Sequence, residues 1–112
     1  MHEWGLSRRL LQLIEAEARA RQLTHVGRVR LSGAMNPAQC AALRFNFQAA
    51  ARGTVAHHAE LEIESCPVPG RCPGCGCEAP MTDHHQPCPA CRLQALMPLD
   101  GELLRIVELT AS

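Results

Sequence analysis

Four cysteines, arranged as two Cys-x-x-Cys pairs, are the residues of this sequence best suited to chemistry. The first pair is Cys72 and Cys75, the second is Cys88 and Cys91, and twelve residues separate the two pairs. Each turn can direct two thiolates to one point, and together they supply the tetrahedral sulfur set that zinc prefers, at about 2.3 Å. Because the protein fills all four positions, we expect a structural zinc site and not a reactive centre.

The residues around these pairs favour tight turns. Pro73 and Pro89 follow the first cysteine of each pair and restrict φ there. Gly76, directly after the first pair, suits the positive φ by which such a turn folds back. The sequence therefore predicts two similar metal-binding turns.

The other three cysteines have less specific interpretations. Cys77 is interpreted as a spare thiol at the rim of the site, because Cys-x-Cys ligation would break the symmetry of the turns. Cys66 ends a predicted strand, and Cys40 lies in a predicted helix, where a free cysteine packs as a small apolar residue. A disulfide framework would leave one of the seven cysteines over. The charged and polar N-terminus does not resemble an export signal, so we expect a reducing, cytoplasmic environment.

The N-terminal tripeptide Met1-His2-Glu3 is a second candidate metal site. A free α-amine, the deprotonated amide of residue 2 and the His2 imidazole can hold one metal in a near-planar nitrogen set. Glu3 can add its carboxylate or its amide nitrogen. Such tetragonal nitrogen and oxygen sites favour Ni(II) or Cu(II). A histidine at position 2 is usually an accident, so these residues alone give only a hypothesis.

Composition excludes several other functions. The eleven basic and eleven acidic residues give a formal charge of zero, which argues against non-specific nucleic-acid binding. Three aromatic residues provide no platform on which bases could stack. No segment approaches the roughly 20 apolar residues of a membrane span. We therefore expect neither nucleic acid nor membrane as a partner.

The elements that must position these residues are two helices and three strands. Residues 3–22 predict an amphipathic helix, and Asn36 followed by Pro37 predicts the start of a second helix, which ends at Gly53. The apolar stripes of the two helices are Leu6, Leu10, Leu13, Ile14 and Ala18 in the first, and Cys40, Leu43, Phe47 and Ala50 in the second.

Alternating residues predict strands at 25–31, 59–64 and 102–109. Glutamates of the second strand could pair with Arg28 and Arg30 if these strands are neighbours. Apolar residues on both faces of the third strand suggest a central or two-sided position. The Pro-, Gly-, Cys- and His-rich segment 67–98 has too little apolar surface to fold alone, so metal binding must supply its folding free energy.

The predicted fold class is α+β, with a small three-stranded sheet, two helices and an inserted four-cysteine zinc-ribbon-like domain. We place this inserted zinc-binding domain at residues 67–98, between two strands of one sheet. Residues 1–66 and 99–112 form the other domain.

Taken in order, several segments of the chain resemble the HypA/HybF family, the nickel-insertion accessory proteins of [NiFe]-hydrogenase maturation. The segments are Met1-His2-Glu3, Ala42-Leu43-Arg44-Phe45, Gly53-Thr54, Ala59-Glu60-Leu61-Glu62-Ile63-Glu64, the two cysteine pairs and Gly101-Glu102-Leu103-Leu104-Arg105-Ile106. The resemblance spans essentially the whole chain.

The resemblance implies a nickel metallochaperone and not an enzyme. His2 and Glu3 would be nickel-site residues, with the Met1 amine as a further donor, and the four paired cysteines would bind Zn(II). Ni(II) would be the transferred cargo. The implied partners are the accessory GTPase of nickel insertion and the hydrogenase large-subunit precursor.

Two alternatives use the same cysteines. A zinc-ribbon adaptor would bind a protein or a nucleic acid, although no basic face is visible in the sequence. A thiol–disulfide enzyme could use Cys72 and Cys75, but thioredoxin-like pairs follow a strand and open a helix, and this context is lacking.

Overall fold

The computed structural model describes the backbone of residues 3–111 and the side chains of residues 5–111. By its contacts the chain divides into two compact units. The first comprises Met1–Leu31, Pro37–Ile63 and Ile106–Ser112, and the second comprises Ser32–Asn36 and Glu64–Arg105. The division predicted from the sequence, with residues 67–98 as the insertion, stays a prediction.

Two helices, α1 (Glu3–Ala20) and α2 (Pro37–Ala50), pack against each other in the first unit. The predicted start of α2 at Pro37 is correct, and Gly53 has the expected left-handed φ of 72° after its end. The face of α1 differs from the prediction, because Leu13 is 47% exposed while Leu11 and Ser7 are buried. In α2 the buried residues Cys40, Leu43 and Phe47 were predicted, whereas Ala51 just after the helix is buried in place of Ala50.

Within residues 3–111, six strands form two three-stranded sheets. In chain order the strands are β1 (Val26–Gly33), β2 (Glu60–Ser65), β3 (Val68–Arg71), β4 (Glu78–Met81), β5 (Met97–Pro98) and β6 (Leu104–Ala111).

The larger sheet has the order β2-β1-β6, so β1 is central. Of the central or two-sided position predicted for the last strand, the central one is therefore wrong, because β6 lies at an edge. Its apolar side chains are not uniformly enclosed, since Val107 is 56% exposed whereas Leu109, two residues further along on the same face, is buried. Arg28 and Arg30 both pair with Glu62, as predicted, and Arg30 also pairs with Glu108. All these side chains are about half exposed, so each pair contributes less than about 1 kcal/mol.

The smaller sheet, of order β4-β3-β5, lies in the Pro-, Gly-, Cys- and His-rich segment that we predicted to have too little apolar surface to fold alone. Strands β3 and β4 are antiparallel, and Val68 opposes Met81 while Arg71 opposes Glu78. A small core stabilises the second unit of the chain, called the smaller unit below, and cysteine side chains form part of this core. The fully enclosed members are Ala34, Cys72, Met81, Cys88 and Leu96.

None of the helices within residues 3–111 combines the length and apolar character that crossing a membrane requires.

Candidate metal centre

The first cysteine pair lies in the turn between β3 and β4. The Cys72 N–H donates a hydrogen bond to the carbonyl of Cys77 at 2.8 Å, and the Gly76 N–H donates to the carbonyl of Cys72 at 3.0 Å. Gly76 has a φ of 79°, as the sequence predicted. The Cys75 N–H lies 3.4 Å from the Cys72 sulfur and donates to it. The turn therefore brings both sulfurs to one side and stabilises negative charge on one of them.

The second pair lies in a turn of the same design. The Arg92 N–H donates to the carbonyl of Cys88 at 3.0 Å, and the Cys88 N–H donates to the carbonyl of Gln94 at 2.9 Å. The Ala90 N–H donates to the Cys88 sulfur at 3.4 Å. Arg92 takes the position that Gly76 has in the first turn and adopts a φ of 59°. No glycine marks this turn in the sequence.

The four sulfurs of Cys72, Cys75, Cys88 and Cys91 converge, and all lie within 4.8 Å of one another. The Cys72 and Cys91 sulfurs are 3.7 Å apart, and the Cys75 and Cys88 sulfurs are 3.6 Å apart. A tetrahedral zinc site with bonds of about 2.3 Å has sulfur–sulfur edges of about 3.8 Å. The distances and the ligand chemistry therefore both fit a four-cysteine zinc site.

The thiols of this cluster differ in acidity. Hydrogen bonding from the Cys91 backbone lowers the pKa of Cys88 to about 6, aided by Ala90 and the neighbouring thiols and opposed by desolvation. The Cys75 backbone similarly lowers the pKa of Cys72. A hydrogen bond from the Cys77 backbone also lowers the pKa of Cys75. The neighbouring thiols, above all Cys88, and desolvation outweigh it and raise the pKa of Cys75 to about 12. At neutral pH a metal entering the cluster therefore displaces at least the Cys75 proton.

The remaining cysteines are outside this group. Cys77 is partly buried against the core of the smaller unit, and desolvation, followed by the charge of Cys88, raises its pKa. The Cys66 sulfur is 3.0 Å from the Ser32 hydroxyl oxygen, and Cys40 is buried in α2. Among the described residues, Cys72, Cys75, Cys88 and Cys91 are the only group of three or more potential ligand side chains close enough to share a metal.

The histidines show two features that the sequence does not reveal. His84 is buried, with 9% of its surface exposed. The rings of His57 and His58 stack with their centroids 4.0 Å apart. Met1 and His2 lie outside the described residues, and so does the side chain of Glu3. The predicted N-terminal nickel site stays a prediction.

A family model described as "Hydrogenase/urease nickel incorporation, metallochaperone, hypA" matches residues 1–111. The chain belongs to the HypA family. The predicted resemblance is therefore confirmed, and this family of metallochaperones is consistent with the expectation that the chain is not an enzyme.

Individual relatives agree with this assignment. The hydrogenase maturation factor HypA of Acidithiobacillus ferrooxidans is 36% identical over 110 residues, which are 97% of each chain. The factor of the same name from Dechloromonas aromatica is 34% identical with the same coverage. The solution structure of the Ni metallochaperone HypA from Helicobacter pylori matches with a TM-score of 0.66 at 21% identity, covering 99% of this chain and 97% of that one. This structural likeness supports the predicted α+β fold.

Proposed function

We propose that this chain binds Ni(II) at its N-terminus and delivers it for [NiFe]-hydrogenase maturation. The observation that carries the proposal is the family match over residues 1–111, because it includes the tripeptide Met1-His2-Glu3 and belongs to a family described by nickel incorporation. The Met1 amine, the amide and imidazole of His2 and the carboxylate or amide of Glu3 are the proposed donors. Their nitrogen and oxygen atoms suit the tetragonal geometry of Ni(II).

The proposed site must hold nickel and still release it. A micromolar affinity corresponds to about −8 kcal/mol, a range in which ligand exchange to a partner is feasible. Cu(II) binds such donors more strongly than Ni(II), so selectivity would come from metal availability and from the partner. Acid would weaken binding, because the amine, the amide and the imidazole must lose protons.

In this proposal, Zn(II) at Cys72, Cys75, Cys88 and Cys91 has a structural role. The match between the observed sulfur–sulfur distances and a tetrahedral zinc site supports it. The smaller unit has a core of few residues and includes cysteine side chains among them, so loss of the metal would remove much of its stability.

The proposed partners follow from delivery of a metal to a hydrogenase. They are the accessory GTPase of nickel insertion and the hydrogenase large-subunit precursor, and the proposed location is the cytoplasm. The factors whose sequences match this chain are named for hydrogenase maturation, which supports partners within that process.

Calorimetric titration of the zinc-loaded protein with Ni(II) tests the nickel site. We expect His2→Ala to lose nickel binding while zinc content and circular dichroism stay unchanged. His58→Ala is the matched control, because it removes an exposed histidine that the proposal does not use. A sample with a blocked N-terminal amine should also lose affinity. Equal nickel affinity in His2→Ala and the unaltered protein would rule out the N-terminal site.

A further inference from the structure

A groove of about 410 Å³ lies beside the C-terminal part of α2, within the first unit of the chain. Side chains of α2 and of the turns that follow it line the groove. The six that define its character are Phe45, Gln48, Ala49, Arg52, His57 and His58. No residue of the four-cysteine cluster lines it, so its chemistry is separate from that of the metal centre.

The polar side chains of this groove are cationic or donate hydrogen bonds. Arg52 is exposed and forms no ion pair with any described residue. Of the described residues that line the groove none is acidic, and Glu60, which follows directly in the chain, is not among them. A guanidinium offers paired N–H donors that match a carboxylate, and a neutral imidazole still has one N–H donor. The groove therefore favours an anion, although the chain as a whole carries no net charge.

Phe45 adds an apolar surface to the same groove. Its side chain is 75% exposed, whereas Phe47, the other phenylalanine of the chain, is buried. Positions 45, 48, 49 and 52 recur at the spacing of one helix face, so the aromatic ring and the Arg52 side chain start roughly 10 Å apart. Aromatic residues and arginine are both enriched in protein–protein interfaces. An anion alone would leave the Phe45 ring in water, so the groove fits a ligand with an apolar group next to its negative charge.

The turns that complete the groove are held by hydrogen bonds. The Thr54 hydroxyl donates to the Ala51 carbonyl at 2.6 Å and accepts from the Ala56 N–H at 3.2 Å. Ala56 is fully buried and anchors the turn, and His58 adopts a left-handed φ of 66°. The two histidine rings stack with an interplanar angle of 17°. Because this wall is already ordered, a ligand loses little free energy in ordering it.

The stacked histidines are poorly arranged to share a metal ion. The lone pair of an imidazole nitrogen lies in the plane of its ring, and two nearly parallel planes do not meet at a point about 2 Å from both nitrogens. Within the described part of the chain, the four cysteines alone form a group of three or more potential ligand side chains. The His57 and His58 rings are therefore better suited to donate hydrogen bonds to an anion.

We propose that this groove binds an acidic segment of a protein partner, whose carboxylate contacts Arg52 and the histidine pair while an apolar side chain covers Phe45. The partner supplies the complementary charge, because the described lining residues include no carboxylate. A small free anion would gain little, since ion pairs with an exposed side chain are weak in water. A chain segment adds burial of the Phe45 ring to the ion pair. The inference does not rest on the nickel site, and its test contains no nickel.

NMR titration of the zinc-loaded, isotope-labelled protein tests the groove. The probe is the acetylated and amidated pentapeptide Glu-Glu-Leu-Glu-Glu, and its control is the same peptide with glutamine in place of every glutamate. We expect the acidic peptide to shift the amide signals of residues 45–59, with a Kd of about 1 mM or below. The glutamine peptide should bind at least about tenfold more weakly, because it keeps the leucine and loses the charges.

Two variants separate the charged contact from the apolar one. Arg52→Gln should weaken binding of the acidic peptide by about fivefold, the loss expected for one exposed ion pair. Phe45→Ala should weaken it as well. Both side chains are exposed, so both variants should keep the fold. Arg19→Gln is the matched control, because it removes the same charge from an exposed position of the same unit outside the groove.

Four outcomes would overturn the inference. The two peptides could bind equally, or Arg19→Gln could reduce binding as much as Arg52→Gln, and in either case the groove does not recognise the charge. Inorganic phosphate could give the same shifts with the same affinity, which would mean that the groove takes a small anion and not a protein segment. Sedimentation could reveal a dimer that Arg52→Gln dissociates, which would mean that a second copy of this chain fills the groove. No shift at residues 45–59 with up to about 10 mM acidic peptide would show that the groove binds no such segment.

Discussion

Replacing Gly70 by alanine should weaken the metal centre, although Gly70 is not a ligand. Gly70 lies in β3 and is buried against Met81. A Cβ atom at position 70 would lie 2.6 Å from the Met81 sulfur, closer still to Cγ of that side chain, and 3.2 Å from the Ala79 carbonyl oxygen. Met81 is 0% exposed, so its side chain cannot move outward into solvent and must repack within the core.

The magnitude follows from the cost of overfilling a packed core. Extra methyl groups in such positions destabilise by about 1 to 3 kcal/mol. Because metal binding and folding of the smaller unit are expected to be coupled, the same free energy appears in the apparent zinc affinity. At about 1.4 kcal/mol for each tenfold change, Gly70→Ala should lower that affinity by about 5- to 150-fold.

Competition with a zinc chelator measures this change directly. Gly74→Ala is the matched control, because its Cβ would meet only the side-chain amide of Gln94, which is exposed and can move. That variant should stay within about 0.5 kcal/mol of the unaltered protein.

A double-mutant cycle separates steric conflict from other effects at Gly70. Met81→Ala alone should destabilise by about 2 to 5 kcal/mol, because it empties a buried position. In the double variant Gly70→Ala/Met81→Ala, the added methyl group no longer meets a side chain, so its destabilising effect should disappear. Strictly additive losses, or an unchanged zinc affinity in Gly70→Ala, would refute the argument from packing.

Three further predictions concern the sheets and the pH dependence. Gly33→Ala should destabilise the protein by about 2 kcal/mol, because the added Cβ would overlap the Leu103 backbone carbonyl. Thermal unfolding followed by circular dichroism should show this as a lower midpoint. A midpoint within error of the unaltered protein would contradict the prediction. Zinc affinity, measured by chelator competition, should rise with pH, since the entering metal displaces the Cys75 proton, and it should fall further below the Cys88 pKa of about 6. Glu62→Gln should lower the free energy of unfolding in urea by less than about 1 kcal/mol, and by less still at high salt, because solvent and salt screen its exposed ion pairs with Arg28 and Arg30. A larger loss would contradict this argument from screening.

The four-cysteine cluster illustrates how far local sequence information reaches. The spacing of the cysteines identified all four converging sulfurs, because each pair is formed by residues three positions apart in one turn. The same reasoning identified the left-handed position of Gly76. It missed the equivalent conformation of Arg92, since arginine carries no intrinsic preference for positive φ and is held there by the hydrogen bonds of the turn.

The helices show where periodicity becomes insufficient. The leucines of α1 occupy more than one face of the helix, and spacing alone did not decide between Leu11 and Leu13. Packing against α2 determines the buried face. In β6, apolar residues on both faces suggested a central strand, but strand order is a long-range property and placed it at an edge.

By itself, the sequence determined the family, the α+β class, the four cysteines of the potential metal-binding group and the candidate nickel donors at the N-terminus. These rest on residue type and on spacings of a few residues, which covalent geometry and turn chemistry largely specify. Only the tertiary structure decided that the two turns bring four sulfurs within 4.8 Å, that His84 is buried, and that Arg71 opposes Glu78 across the β3–β4 hairpin. Such relations depend on strand register and burial, which are determined by contacts between residues distant in the chain.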